Sequence, residues 1–369
     1  MTSESAPRPT TYVVRPPRGM RKLRAAVRFL MSTPRSGLRP ARPRRGSRKV
    51  AKPHFLESAH AHRAGAGRIA WTRRASSLVG LAFALSVVFA LLPQVQAQVI
   101  TVRDDRGTEH RLAHPPQRIV TLLPSLTETA WVLGVGRRLV GVDQHSNWPA
   151  DIVHLPRLGG MDDAQIETIA TLKPDVILAS TSSRAVDRLE ALGFTVLRLK
   201  SETHADVRRT LNLVAQILGT PDEGPRLWAR LERELAAAAT RLPASIRGQR
   251  VYFEIGGGPY AAGTTSFIGE TLGLLGMGNI VPPEMGPFPK LNPEYVVRAK
   301  PEIIMGAQRE QAGLRARPGW GTLTAVREQR MCDFAEPQYE MLIRPGPRMG
   351  EAAGLLADCL TRLGLAAAR

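Results

Sequence analysis

The hydrophobic pattern of this chain contains one motif twice. Residues 167–178 read ETIATLKPDVIL and residues 294–305 read EYVVRAKPEIIM, 127 positions apart. Each copy has apolar residues at helical spacing, then Lys-Pro, an acidic residue and an unbroken apolar run. Because proline cannot continue a helix and favours extended backbone before it, each copy predicts a helix followed by a buried parallel strand. The repeat predicts two similar α/β lobes; chance similarity of two helix–strand units is the alternative.

The first lobe is expected over residues 98–218. Alternation on both sides of residues 105–107 (DRG) indicates a β-hairpin, and Ser125 and Glu128 have the spacing of a capping box. Strand patterns near 118–123, 139–143, 175–180 and 195–199 alternate with helical patterns near 124–134, 163–172, 184–192 and 205–218.

A long helical pattern within residues 219–243 is expected to bridge the lobes, with Thr220 as N-cap and Pro221 as first helical residue. The second lobe then covers residues 244–369. Its predicted strands lie near 250–255, 302–306 and 331–335, and its predicted helices near 266–276, 291–299 and 347–364. The expected fold is α/β, with two sandwich lobes, one bridging helix and a ligand cleft between the lobes.

Charge is distributed unevenly along the chain. Residues 1–75 hold 19 Lys and Arg against 2 Asp and Glu, whereas residues 98–369 hold 32 against 30. The folded body is therefore nearly neutral, so the net charge of +19 does not indicate nucleic-acid binding. Residues 1–70 lack apolar periodicity and are expected to be disordered. A start site placed too far upstream explains them, and a functional basic arm is the alternative.

Residues 71–97 have the pattern of a signal peptide. Two arginines precede an uncharged run whose apolar core of about fifteen residues is short for a spanning helix. A small-x-small pattern ends at Ala97, which predicts cleavage there and a periplasmic protein; an uncleaved signal anchor is the alternative. In that oxidising compartment Cys332 and Cys359 could form a disulfide, although two buried free thiols also fit the sequence.

Motifs for catalysis are missing from the sequence, which has no GxSxG, no HExxH, no P-loop and no GxGxxG after a strand. His110 and His114 share a strand face about 13 Å apart, so they cannot chelate one ion. His145, in a loop after a strand, is a candidate axial ligand to a metal macrocycle, with a solvated histidine as the alternative. We expect no enzymatic activity and no resident metal or cofactor.

Aromatic residues make up 5% of the chain, and five of them fall in predicted loops. Loop aromatics flanked by glycine and proline suit a cleft that stacks on a large, flat, partly apolar ligand. Ordinary packing at the lobe edges is the alternative. The candidates are Trp148, Tyr260, Phe288, Trp320 and Tyr339.

Glu167 and Glu294 occupy equivalent positions of the repeat. In two related lobes these carboxylates would lie on matching surfaces, one on each lobe. Paired acidic groups suit docking onto basic sockets of a dimeric partner. Each could instead be an ordinary solvated helix residue.

Three segments together resemble the periplasmic binding proteins for vitamin B12 and iron chelates: RIVTLLPSLTETAWVLGVGRRLVGVDQHSNWP, LGGMDDAQIETIATLKPDVILAS and LNPEYVVRAKPEIIM. The resemblance covers about residues 100–365. It implies two α/β lobes joined by one backbone helix, and ligand delivery to an ABC importer. Glu167 and Glu294 match the docking glutamates, which would bind arginines on the two membrane subunits.

The same resemblance implies ligand contacts. Tyr260 and Phe288 match aromatic positions of the B12 binders, Trp148 falls in a loop that supplies an aromatic residue, and Ser125 belongs to the P-S-x-T-E opening. Leu158 stands where a B12-binding relative has Trp, which removes a stacking contact.

The expected function is capture of cobalamin or a related corrinoid by a monomeric binding protein. A ferric siderophore is an alternative, because Arg344 and Arg348 near Tyr339 could meet an anionic chelate. Heme is another, with His145 or Tyr260 as axial ligand. An exported α/β enzyme acting on a corrinoid or metal chelate is the alternative from a different class.

Overall fold

A computed structural model describes residues 99–258, 260–311 and 313–366. The predicted basic segment, residues 1–70, and the predicted signal peptide, residues 71–97, lie outside the described residues. Within the described part of the chain, no helix combines the length and the apolar character needed to cross a membrane.

The first lobe contains a hairpin and a four-stranded parallel sheet with strand order β4-β3-β5-β6. Most of these elements lie within a few residues of their predicted positions. They are β1 (Ile100–Arg103), β2 (Glu109–Leu112), β3 (Ile119–Thr121), α1 (Pro124–Ala130), β4 (Leu139–Val142), α2 (Ile166–Thr171), β5 (Val176–Ser180), α3 (Asp187–Ala191), β6 (Val196–Leu199) and α4 (His204–Ile217).

The second lobe follows helix α5 (Glu223–Thr240) and is built on a five-stranded sheet. Its elements are β7 (Arg250–Ile255), β8 (Tyr260–Ala261), α6 (Phe267–Leu274), β9 (Gly278–Asn279), α7 (Pro293–Ala299), β10 (Ile303–Ala307), α8 (Gln308–Gln311), α9 (Thr324–Arg327), β11 (Met331–Phe334), α10 (Glu336–Leu342) and α11 (Met349–Ala366). β7 pairs with β10 on one side and with β8 and β9 on the other; only β8 is antiparallel.

The two sheets have the same topology. Counted along each lobe, the parallel strands take the order second, first, third, fourth: β4-β3-β5-β6 in one lobe and β9-β7-β10-β11 in the other. In each lobe the repeated helix, α2 or α7, leads into the third strand. The predicted α/β fold with two similar lobes is confirmed.

The repeated lysine has an unusual backbone conformation in both lobes. Lys173 and Lys300 have φ values of 47° and 46°, the left-handed region that β-carbons disfavour. Each ends its helix by reversing the chain direction, and the following proline prevents the helix from continuing. The same uncommon backbone conformation at equivalent positions indicates that the sequence repeat is also a repeat of backbone structure.

The repeated acidic residue fastens the third strand of each lobe to the first. The Asp175 carboxylate accepts the backbone N–H of Arg118 at 2.9 Å, and the Glu302 carboxylate accepts that of Arg250 at 2.9 Å. Both arginines also donate side-chain hydrogen bonds to carbonyls at the end of the repeated helix. The acid therefore aligns two neighbouring strands, which explains its place directly after Lys-Pro.

Helix α5 packs against α4 of the first lobe and α11 of the second. Its buried face includes Leu227, Leu231 and Leu235 at helical spacing. Cys332 in β11 and Cys359 in α11 form a disulfide, which joins the edge strand of the second sheet to the helix that covers α5.

Both predicted helix caps are wrong. Helix α1 begins at Pro124 with Leu123 as N-cap and no side-chain cap, because proline suits the first helical position and moves the start ahead of Ser125. Helix α5 begins at Glu223, after a turn in which the N–H of Glu223 binds the Thr220 carbonyl. Glu128 is thereby free for another role.

Replacing Lys300 by Gly should raise the free energy of unfolding by about 0.5–1 kcal/mol, because glycine adopts a positive φ without the steric cost of a β-carbon. The matched control is Arg298→Gly in the helical part of α7, which should lower it by about 1 kcal/mol. Urea unfolding of the purified protein measures both values. A loss of stability in both variants would contradict the assigned conformation.

Candidate functional site

Three candidate residues follow the carboxyl ends of parallel strands, one in helix α1, one in a loop and one in β8. Ser125 follows β3, Trp148 follows β4 and Tyr260 follows β7. This edge is where open α/β sheets place their ligands. The loops of the two lobes meet: a β-carbon built on Gly346 of the second lobe would lie 3.3 Å from the β-carbon of Ser125.

Arg344 is the centre of the contact between the lobes. It lies between α10 and α11, is 8% exposed, and donates to the Glu128 carboxylate at 2.8 Å and the Asn147 side-chain oxygen at 2.9 Å. It also donates to the His145 carbonyl at 3.1 Å and to Glu340 at 3.0 Å. Three of these four partners belong to the first lobe, so one guanidinium group joins the two lobes.

Glu128 is a buried carboxylate, with 1% of its surface exposed. Burial raises its pKa above the ordinary value, and the hydrogen bond and charge of Arg344 and the charge of Arg348 oppose that shift. Arg348 lies 3.8 Å from the carboxylate. The second carboxylate oxygen has no hydrogen-bond partner among the described residues. The two arginines of the second lobe are the cations that offset the Glu128 charge.

Residues 143–149 form the loop that presents Trp148, and Asp143 holds this loop in place. The Asp143 carboxylate accepts the His145 N–H at 2.8 Å and the Ser146 hydroxyl. Ser146 is also bonded to Thr127 of α1 at 2.7 Å. Burial raises the pKa of Asp143. Short polar side chains thus fix the conformation of the loop against α1.

Trp148 is half-buried and contacts the second lobe. The guanidinium carbon of Arg348 lies 4.7 Å from its ring centroid, which is the geometry of a cation–π interaction. Arg348 therefore lies near both the Trp148 ring and the Glu128 carboxylate.

Tyr260 and Phe288 lie on neighbouring segments of the second lobe. Tyr260 is 47% exposed and forms an antiparallel bridge with Lys290. Phe288, two residues before Lys290, is half-buried with its ring 6.0 Å from that of Phe267. Tyr260 therefore offers the more open aromatic surface.

Trp320 and Tyr339 are buried within the second lobe, so neither ring has an open surface in this structure. Trp320 packs edge-on against Tyr252, with ring centroids 5.6 Å apart, and borders a cavity of about 290 Å³. Tyr339 lies in α10 rather than in the predicted loop, and its hydroxyl accepts the Gly256 N–H at 2.7 Å. Leu158, where the resemblance to the B12 binders implies the loss of a stacking residue, is likewise buried in the first-lobe core.

Glu167 and Glu294 both lie in the first turn of the repeated helices and are both exposed. The Glu167 side chain is 82% exposed, with Arg188 the nearest cation at 3.9 Å. An exposed pair at this distance contributes little energy. Both carboxylates are thus available to a partner.

His145 has an exposed ring whose Nε2 lies 3.1 Å from the Gln144 side-chain nitrogen. His110 is instead paired with Asp104 at 3.1 Å, and His114 is exposed. Across residues 99–258, 260–311 and 313–366, no group of three or more His, Cys, Asp or Glu side chains could hold a metal ion.

Sequence reasoning missed the link between Glu128 and Arg344. It assigned Glu128 to a helix cap and considered Arg344 only as a ligand contact. The signal that could have found it is the failure of the cap: Pro124 already starts the helix, which leaves the Glu128 carboxylate without a local role.

Two α/β lobes of one topology, joined by a helix and meeting at the carboxyl ends of their strands, define the architecture of a two-lobed binding protein. The family described as periplasmic binding protein matches residues 119–336, more than half of the chain. The chain belongs to this family.

Several known proteins are similar to the chain. A Bacillus subtilis protein named uncharacterized ABC transporter substrate-binding lipoprotein YvrC is 25% identical over 71% of this chain and 85% of its own length. A Vibrio cholerae vitamin B12-binding protein is 26% identical, covering 64% of this chain and 87% of the relative. The solved structure of the periplasmic heme-binding protein RhuT from Roseiflexus is 26% identical with a TM-score of 0.59, covering 67% and 99% of the two chains.

Replacing Tyr339 by Phe should lower the free energy of unfolding by about 1–3 kcal/mol, because the Gly256 N–H would lose its buried acceptor. The control is Tyr260→Phe, whose exposed hydroxyl should leave stability within about 0.5 kcal/mol. Urea denaturation measures both. Equal effects of the two changes would refute the distinction between the buried and the open tyrosine.

Proposed function

We propose that this chain is the substrate-binding protein of an ABC importer and that it captures cobalamin or a related corrinoid between its two lobes. The observation that carries this proposal is the contact of the lobes at Trp148 and Arg348, with Trp148 after β4 of the first sheet and Tyr260 after β7 of the second. The naming of one similar protein as a vitamin B12-binding protein supports the choice of ligand.

The boundary between the lobes, where residues 143–149 meet residues 344–348, is called the seam, and its chemistry suits a large, flat ligand. Tyr260, Trp148 and Phe288 supply aromatic surfaces that stack on a partly apolar macrocycle. Asn147 and Glu340 hydrogen-bond each other in this structure, and they could exchange this bond for bonds to the peripheral amides of a ligand. The corrinoid is the transported substrate, so the binding protein has no cofactor of its own.

Capture requires only a small movement in this fold. Helix α5 packs on both lobes, and the lobes are also joined through Arg344. A second link lies at the start of α4, where the His204 ring is bonded to Thr271 at 2.9 Å. These contacts limit hinge motion, so we infer a shallow closure around the ligand rather than a wide one.

Delivery to the membrane involves Glu167 and Glu294 as the docking groups, one on each lobe. Complementary charge across such an interface gives orientation and rapid association more than raw affinity. We infer that a monomer docks onto two membrane subunits after cleavage behind Ala97 and export to the periplasm.

Heme is the second candidate ligand. Its support is the exposed imidazole of His145 on the seam loop, together with the similarity to RhuT. A ferric siderophore is less well supported, because Arg344 and Arg348 already pair with Glu128, Glu340 and Glu351.

Calorimetric titration of the purified protein with cyanocobalamin should show one-to-one binding. Tyr260→Ala should weaken that binding by about 1–3 kcal/mol if the ring is buried against the ligand. Hemin and a ferric siderophore are titrated in parallel, and Tyr295→Ala, on α7, is the matched control. Binding of hemin alone would move the assignment to heme. Conversion of cyanocobalamin to a product would instead support the enzyme alternative.

Reversing the docking charges with Glu167→Lys and Glu294→Lys should abolish cobalamin uptake in cells while leaving the Kd of the purified protein unchanged, because both side chains are exposed. Glu223→Lys, an exposed change on α5, serves as the control and should leave uptake unaffected. A large loss of ligand affinity in the double variant would refute the docking role.

A further inference from the structure

Two sequence motifs from opposite ends of the folded chain interlock at the lobe boundary. The P-S-L-T-E segment begins helix α1, and the R-P-G-P-R segment, residues 344–348, joins α10 to α11. Ser125 packs closely on Gly346, and Glu128 pairs with Arg344 across 216 positions of sequence. The two segments form the polar centre of the seam.

The Glu128 charge depends on the second lobe. In the part of the chain that the structure describes, the cations within ion-pair distance of its carboxylate are Arg344 at 2.8 Å and Arg348 at 3.8 Å. A carboxylate with 1% exposure cannot exchange these partners for water without movement of the lobes. Separation of the lobes would therefore remove both cations from the Glu128 carboxylate.

The same arginines hold the loop that presents the ligand-facing groups. Arg344 donates to Asn147 and to the His145 carbonyl, and Arg348 stacks on Trp148. Glu128 accepts a hydrogen bond from Arg344 at 2.8 Å and lies 3.8 Å from the guanidinium group of Arg348. Its burial keeps it away from any ligand in the cleft, so its influence on binding must pass through the two arginines.

We propose that Glu128 is a positioning residue for ligand capture, acting with Arg344 and Arg348 as an inter-lobe lock that aligns the 143–149 loop with the second lobe. This inference rests on the proposed function, because it takes the ligand to bind between the lobes. The lock keeps most molecules in the binding-competent arrangement before ligand arrives, and release requires the docked partner to break it.

The test compares Glu128→Gln with a control that breaks an ion pair inside one lobe. Arg198 is fully buried and pairs with Glu190 at 2.6 Å, and both residues belong to the first lobe. Glu190→Gln is therefore the matched control. Two readouts are taken on the purified protein: the Kd for cyanocobalamin, and the inter-lobe distance distribution by pulsed electron paramagnetic resonance.

Spin labels for the distance measurement are placed at two exposed positions, Leu192→Cys directly after α3 and Leu274→Cys at the end of α6, one in each lobe. Glu128→Gln should broaden the distance distribution and raise the Kd by about tenfold or more, as expected when the competent fraction falls to about one tenth. Glu190→Gln should lower the melting temperature and leave both readouts unchanged.

Arg344→Lys provides a second variant, used also if Glu128→Gln does not fold, because lysine keeps the charge but cannot reach four partners with one planar fork. It should broaden the distribution in the same way. An unchanged distribution, an unchanged Kd, or equal changes in the Glu190 control would overturn the lock. If the wild-type protein does not bind cyanocobalamin, the proposed ligand fails, while the distance measurement still decides whether the lock exists.

Discussion

A carboxylate buried between two lobes needs a cation, and in this protein the cation comes from the opposite lobe. The pair of Glu128 and Arg344 meets that requirement at the place where the strands of both sheets end. The contact joins the loop that presents Trp148 to the second lobe, and it acts with α5 and the bond between His204 and Thr271 to set the relative position of the lobes. Breaking one partner of such a buried pair costs more than the pair itself contributes to stability, so the contact specifies geometry more than it adds stability.

The spacing of hydrophobic residues predicted the fold well in segments whose secondary structure depends mainly on their own sequence. The Lys-Pro repeat predicted both helix–strand units, and the topology of the two sheets agrees with it. The caps at Ser125 and Thr220 were wrong, because a neighbouring proline in one case and a tight turn in the other set the helix start. Helix α10 was missed because a seven-residue helix has too little periodicity to be distinguished from a loop.

The candidate site could be predicted less completely, for a physical reason. Tyr260 and Tyr339 look alike in sequence, each near a strand end, yet one ring is open and the other is enclosed by the second-lobe core. Enclosure depends on which elements pack above a residue, and the pattern around the residue does not contain that information. The partnership of Glu128 and Arg344 is also non-local, since 216 positions separate the two side chains.

The disulfide between β11 and α11 makes the stability of the chain depend on whether its compartment is reducing or oxidising. Cytoplasmic thiols stay reduced, so the edge strand of the second lobe would lack its covalent link to the C-terminal helix in that compartment. The link would form only on the oxidising side of the membrane. Under the proposed export, a precursor without the disulfide would have a less constrained unfolded state and a lower stability, and the oxidised protein would be the more stable form.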